Sequence, residues 1–149
     1  MQAKSNIHFF FKSKIRLIDK IRLKAFLTTI FKMEGKTIEN LNYVFCSDRY
    51  LLKINQAFLR HNYYTDILTF DLSKTSKMIE GEIYISVDRV KENSKELKIN
   101  TNLEFLRIIF HGALHLCGYN DKTKSQKQKM RKKEDEYLLY YSMFHVKRK

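Results

Sequence analysis

Proline and tryptophan are absent from this chain, and glycine occupies only four of its 149 positions. The usual punctuation of a sequence is therefore scarce, and element boundaries must be read from capping and periodicity. Cysteine is limited to Cys46 and Cys117, both in apolar surroundings. Two such residues exclude a disulfide-framed secreted scaffold and point to reduced core thiols in a cytoplasmic protein. No apolar run reaches the roughly 20 residues of a membrane span, so no membrane partner is expected. Ile7 to Phe11 is too short for a signal-peptide core, and no small-residue cleavage pattern follows it. Internal repeats are also lacking.

Positive charge, by contrast, is abundant. The 29 Lys and Arg residues outnumber 16 Asp and Glu, for a formal net charge of +13. Net charge bears on association and not on fold, and this excess favours a polyanionic partner such as RNA. The length suits one domain over residues 1–149 with a single sizeable core.

Taken in order, Ile7 to Phe11 reads as an edge strand. Lys14 to Glu34 reads as a helix with Ile15, Ile18, Ile21 and Ala25 on one stripe, closed by Gly35. Leu41, Tyr43 and Phe45 alternate with polar and small neighbours as in a strand. Ser47 is placed to cap a helix whose stripe is Leu51, Ile54 and Phe58. A polar and aromatic loop, Arg60 to Tyr64, precedes strands Thr65 to Phe70 and Glu82 to Val87, and a charged helix follows Asp88. Thr123 to Gln126 has the form of a capping box, opening a helix with Met130, Tyr137, Leu138 and Tyr141 on its packing stripe. The tail His145 to Lys149 reads as frayed. Strands and helices do not alternate regularly, so the expected class is α+β and not doubly wound.

The most informative stretch is Leu103 to Asp121, LEFLRIIFHGALHLCGYND. Leu103, Leu106, Phe110, Ala113, Leu114 and Cys117 form one helical stripe. His111 and His115 lie four apart, so both imidazoles leave one side of the helix. Gly118 suits the turn just beyond a helix end, and that turn can bring the Asp121 carboxylate back over the two rings. Two imidazoles and a carboxylate are three ligands, leaving a fourth position for water, which is the composition of a catalytic zinc site. Cys117 lies two residues after His115, about 200° round a helix, and so is expected to face the core instead of closing the site.

His111-Gly112-Ala113-Leu114-His115-Leu116-Cys117-Gly118-Tyr119 resembles the H-G-x-L-H-L-x-G-Y signature of the YbeY family of endoribonucleases, or ribosomal RNA maturation factors. Thr65 to Phe70, TDILTF, and Gly81 to Ser86, GEIYIS, resemble that family's T-[DN]-V-L-S-F and G-D-I-x-I-S strands. The likeness covers about residues 38–141 in order. It implies a small four-stranded mixed sheet surrounded by helices, with the metal-bearing helix central. It further implies one Zn²⁺ per chain, cleavage of single-stranded RNA, and a role in ribosomal RNA maturation with the small ribosomal subunit as a partner. Two positions depart from the family pattern. The usual third ligand is His where this chain has Asp121. The arginine that follows the family's L-N-x-x-Y segment aligns with Leu59, leaving Arg60 one residue late.

The expected chemistry is metal-activated water attack on a phosphodiester, with His111, His115 and Asp121 acting through the ion. A carboxylate ligand makes the site less positive than three imidazoles, which also suits a harder divalent metal. Asp66 and Glu82 are the candidate groups behind the ligands, and Asp66, Glu82 and Asp71 the candidate bases. Arg60, Lys122, Lys124, Lys127 and Lys129 are the candidate RNA contacts. Two other readings remain open. One is a non-catalytic RNA-binding or ribosome-assembly protein with a structural metal. The other is a zinc metallopeptidase, which a glycine in place of the H-E-x-x-H glutamate disfavours.

Overall fold

The computed structural model describes residues 6–16 and 19–146. Strands β1 (Ile7–Phe11), β2 (Thr37–Cys46), β3 (Ile67–Asp71) and β4 (Met78–Ser86) form one sheet in the order β1-β2-β4-β3. β1 and β4 both run parallel to β2, and β3 runs antiparallel to β4, so the sheet is mixed. Among the described residues, five α-helices surround it: α1 (Lys20–Met33), α2 (Asp48–Ile54), α3 (Val87–Leu97), α4 (Thr101–Leu116) and α5 (Lys124–Met143). This is the α+β architecture expected.

Alternation along the strands divides the core. Leu41, Tyr43 and Phe45 on β2 pair with Gly81, Ile83 and Ile85 on β4, and all face the side covered by α1, α4 and α5. Val44 and Cys46 face the other way and join Leu51 of α2 and Leu68 of β3 in a smaller cluster. α4 lies in the larger layer, buried nearly all round by Phe105, Ile108, Ile109, Phe110, Ala113, Leu114 and Leu116. Two close approaches fix it on the sheet. A Cβ at Gly112 would lie 2.9 Å from Ile83 Cδ1 and 3.1 Å from Ile67 Cδ1, so any larger residue would have to push these side chains aside for the helix to sit this low. The Tyr43 hydroxyl donates to the Ile109 carbonyl at 2.8 Å, satisfying the one polar group on a fully buried ring.

Several sequence expectations are corrected. α1 starts at Lys20, not Lys14, because Asp19 caps it by accepting from the Arg22 amide, and residues 14–16 are not helical. Its buried stripe is Leu23, Phe26, Leu27, Ile30 and Phe31, whereas Ile21 is 65% exposed. Ile18 and the tail residues 147–149 lie outside the described residues. α2 is capped by Ser47 as expected, but it widens into a π-helical turn over Asn55–Leu59. That extra residue per turn rotates Phe58 off the stripe, leaving it 69% exposed. On α4, Leu103 of the expected one-sided stripe is exposed, since the helix is enclosed on other sides by α3 and α5. The α5 capping box is present, with Thr123 and Gln126 serving each other's ends. Among the described residues no helix is long and apolar enough to cross a membrane.

Candidate metal centre

His111 and His115, one turn apart on α4, both border an opening along β3 that Asp66 and Ile67 also line. α4 is capped at Cys117, and Gly118 takes a φ of +104°, the left-handed turn that sends the chain back. The turn is tethered. The Tyr119 hydroxyl donates to Glu34 Oε1 at 2.8 Å, and Tyr137 donates to the other oxygen of the same carboxylate. Asp121 is thereby carried over the two rings.

The three donor atoms form a tight triangle. His111 Nε2 and His115 Nε2 are 3.0 Å apart, and Asp121 Oδ2 is 3.2 Å from each. Tetrahedral ligands at ~2.0–2.1 Å from zinc stand about 3.3 Å from one another, so this set fits such an ion with little adjustment. Among the described residues this is the one group of His, Cys, Asp or Glu suited to hold a metal. Cys117 is not part of it: its side chain packs on the core, and burial pushes the thiol up to about 12.

Behind the candidate ligands stands Glu134 of α5, which the sequence reading did not single out. Its Oε2 accepts from His111 Nδ1 at 2.6 Å, and its Oε1 accepts from Arg107 at 3.0 Å. A carboxylate can only accept, so Nδ1 of His111 carries the proton and Nε2 is left with a lone pair facing the triangle. Arg107 also reaches Asp135 at 2.8 Å, so a buried guanidinium compensates the buried Glu134. The signal for Glu134 was present in the sequence. It falls on the α5 packing stripe, between Met130 and Tyr137, where a carboxylate is buried only with partners.

Burial works against the charged form of His111, but the Glu134 hydrogen bond and the charges of Glu134, Asp121 and Asp66 outweigh it and raise its pKa. Asp66 is raised mainly by burial, with His111 and Arg89 pulling it back.

Two openings reach the triangle. One, of about 460 Å³, runs along the free edge of β3 past Leu59, Thr65, Asp66 and Asp71 to His111, His115 and Asp121. The second, of about 330 Å³, lies between α3, α4 and α5 and includes Asp66, Glu104, Lys127 and Arg131. Asp66 and Asp71 thus line the opening that reaches the triangle, and Asp66 acts on His111 through its charge. Glu82 is not: alternation along β4 puts it on the face opposite Ile83, where it accepts from the Tyr84 hydroxyl at 3.2 Å. Of the basic candidates, Lys127 lines the second opening and Lys124 an adjoining basic surface. Lys129 sits over the Tyr119 ring, and Lys122 is exposed at the turn. Arg60, in a left-handed conformation at φ 56°, borders neither opening, whereas Leu59 does. Arg107 and Arg131 face the site and were missed: Arg107 lies one turn before His111 on the same helix, where the spacing alone could have found it, and Arg131 stands on α5, whose placement no local pattern reveals.

Residues 9–142 match the family described as Endoribonuclease YbeY. The chain belongs to the YbeY endoribonuclease family. An Endoribonuclease YbeY from Cytophaga hutchinsonii is 48% identical over 132 residues, covering 87% of this chain and 92% of that one. Another, from Karelsulcia muelleri, is 39% identical over 140 residues, covering 94% and 99%. The solution structure of the Thermotoga maritima protein TM1509 matches with a TM-score of 0.67 at 28% identity, over 91% of this chain and 88% of that one. Within this family frame the buried Gly112 has a chemical consequence. The position after the first histidine faces Ile83, not the cleft, so it offers no room for the glutamate of a peptidase motif.

Proposed function

We propose that the chain is a single-domain, zinc-dependent endoribonuclease that cleaves single-stranded RNA and acts in ribosomal RNA maturation in the cytoplasm. The observation that carries this reading is the triangle of His111, His115 and Asp121, open on one side to clefts walled by Arg107, Lys127 and Arg131. Family membership supports RNA as substrate, and the relatives' printed names supply the endoribonuclease activity.

His111, His115 and Asp121 would hold the ion, which supplies an acidified water and a Lewis acid for the phosphodiester. The chain's own residues do the rest. Glu134 keeps the His111 proton on Nδ1. Lys127 places positive charge where the phosphate backbone enters and where negative charge gathers during cleavage. Asp66, lining the opening that reaches the triangle, is positioned to take a proton from an attacking water, and its raised pKa suits it to that exchange. The side-by-side test is cleavage of a small-subunit ribosomal RNA fragment by the metal-loaded protein and by His115→Ala. Turnover in the first and none in the second is expected. RNA left intact by both, under conditions where a peptide is hydrolysed, refutes the assignment.

A further inference from the structure

The opening between α3, α4 and α5 holds a feature that metal binding does not use. Glu104, in the first turn of α4, is only 6% exposed and lines this 330 Å³ cavity. Its carboxylate has no hydrogen-bond or ion-pair partner among the described residues. Burial raises its pKa, Asp66 and Glu134 add to the rise, and Arg107 and Arg131 oppose it only through their fields. No protein donor among the described residues meets its oxygens, which are left to accept hydrogen bonds from whatever enters the cavity. Asp66 lies in the same wall and is held there by the Asn93 amide, which donates to Oδ2 at 3.4 Å. Lys127 and Arg131 line the cavity as well, so acceptors and cationic donors share one small space. It opens directly onto His111 and Asp121. Its volume is at the lower end of the roughly 300–1,000 Å³ typical of small-molecule sites, enough for one purine and not for a base pair.

We propose that this cavity is a guanine subsite next to the scissile phosphate, in which the two oxygens of Glu104 accept from N1–H and the N2 amino group while Arg131 meets O6 and N7. The argument is one of matching edges. Guanine alone among the four bases presents two adjacent donors on its Watson–Crick edge, and its O6 and N7 are the acceptors most often met by Arg or Lys. Adenine and cytosine offer one amino group beside an acceptor that a carboxylate would repel. Uracil offers one N–H between two carbonyls. A base can reach the cavity only when unstacked and unpaired, which accounts for a preference for single strands. This subsite rests on the endoribonuclease reading, yet its own test does not need cleavage.

Guanosine, inosine and adenosine 5′-monophosphates contain no internal phosphodiester, so an endonuclease leaves them intact. Their affinities for the zinc-loaded protein are compared by calorimetry, and the shared phosphate cancels in the ratios. Guanosine monophosphate is expected to bind roughly tenfold to a hundredfold tighter than adenosine monophosphate, as losing hydrogen bonds to charged groups implies. Inosine monophosphate, which lacks only the amino group, should fall between them. In Glu104→Gln the guanosine preference should shrink towards unity with adenosine monophosphate binding unchanged. The inosine comparison in the unaltered protein makes the test independent of whether that variant folds. Equal affinities for all three nucleotides overturn the subsite, and RNA cleavage without preference beside guanine then leaves the nuclease reading standing. Selective guanosine binding in a protein that cleaves no RNA refutes the nuclease reading instead and keeps the subsite.

Discussion

Removing the Glu134 carboxylate should weaken metal binding without touching a ligand. Both of its oxygens are engaged, one by His111 at 2.6 Å and one by Arg107 at 3.0 Å, and the residue is 4% exposed. Glu134→Gln keeps the shape but has a single acceptor oxygen. It can serve His111 or Arg107, and its NH₂ then faces a donor at the other. Loss of a carboxylate behind a metal-bound histidine typically lowers metal affinity about 10–100-fold. We expect the Gln variant near the lower value and Glu134→Ala near the upper, where the imidazole is free to turn or change tautomer. Folding suffers separately. Breaking a buried ion pair by removing one partner costs about 3–5 kcal/mol. Arg107 retains Asp135 at 2.8 Å, so the lower end applies to Glu134→Ala. Competition for zinc against a chromophoric chelator reads the first effect, and urea denaturation of the metal-free protein reads the second. A folded Glu134→Ala protein that binds zinc as tightly as the parent would show that the His111 contact does not orient the ligand.

Asp121→Ala should lose most of the bound metal while keeping the fold, whereas Asp121→His should retain it, both by elemental analysis; full occupancy in the alanine variant would remove Asp121 from the site. Replacing Lys124, Lys127 and Lys129 together by Gln should weaken RNA binding and flatten its salt dependence by about one unit of slope for each phosphate no longer neutralised. Lys127 should account for most of that change, since it alone of the three lines the opening beside His111, and an unchanged slope would make all three merely solvated. The pH dependence follows from His111, whose pKa in the metal-free fold is raised above its ordinary 6.5 because Glu134, Asp121 and Asp66 together outweigh burial. Its contribution to metal-free stability is therefore complete below the unfolded value of ~6.5 and is lost as pH rises through the higher folded value. Zinc must displace that proton, so zinc affinity should still be climbing above pH ~6.5, with proton release measurable by calorimetry in buffers of different ionisation enthalpy.

The candidate metal triangle was legible because each of its members depends on local geometry. The four-residue spacing of His111 and His115, the glycine after the helix and the carboxylate three residues later are set by backbone rules that act within one turn. The Ser47 cap and the Thr123–Gln126 box were legible for the same reason. What failed was decided elsewhere in the fold. Asp19 starts α1 six residues later than periodicity alone suggests, and Ile21 fits a stripe that the helix does not bury. Glu82 sits on a strand beside the matching motif, but alternation puts it on the opposite face, and only pairing with β2 and β3 reveals which face the site occupies. Glu134 reaches the site through the packing of α5 against α4, which joins residues far apart in the chain, whereas Arg107 and Glu104 lie one and two turns before His111 on α4 and only their partners are set by that packing.

The tether from Tyr119 to Glu34 sets how a metal ion can come and go. His111 and His115 stand on a helix enclosed by the core, whose amides should exchange with deuterium only when the whole domain opens. Asp121 stands instead on a short turn, whose tie to the end of α1 is the Tyr119 hydroxyl on Glu34. The cheapest excursion that breaks the triangle is thus a local release of this turn, swinging one ligand away while two stay fixed. Residence time of the ion then becomes a property of a latch some distance from the chemistry. Tyr119→Phe should shorten it while leaving the ligand set, the histidine tautomer and the cleft as they are.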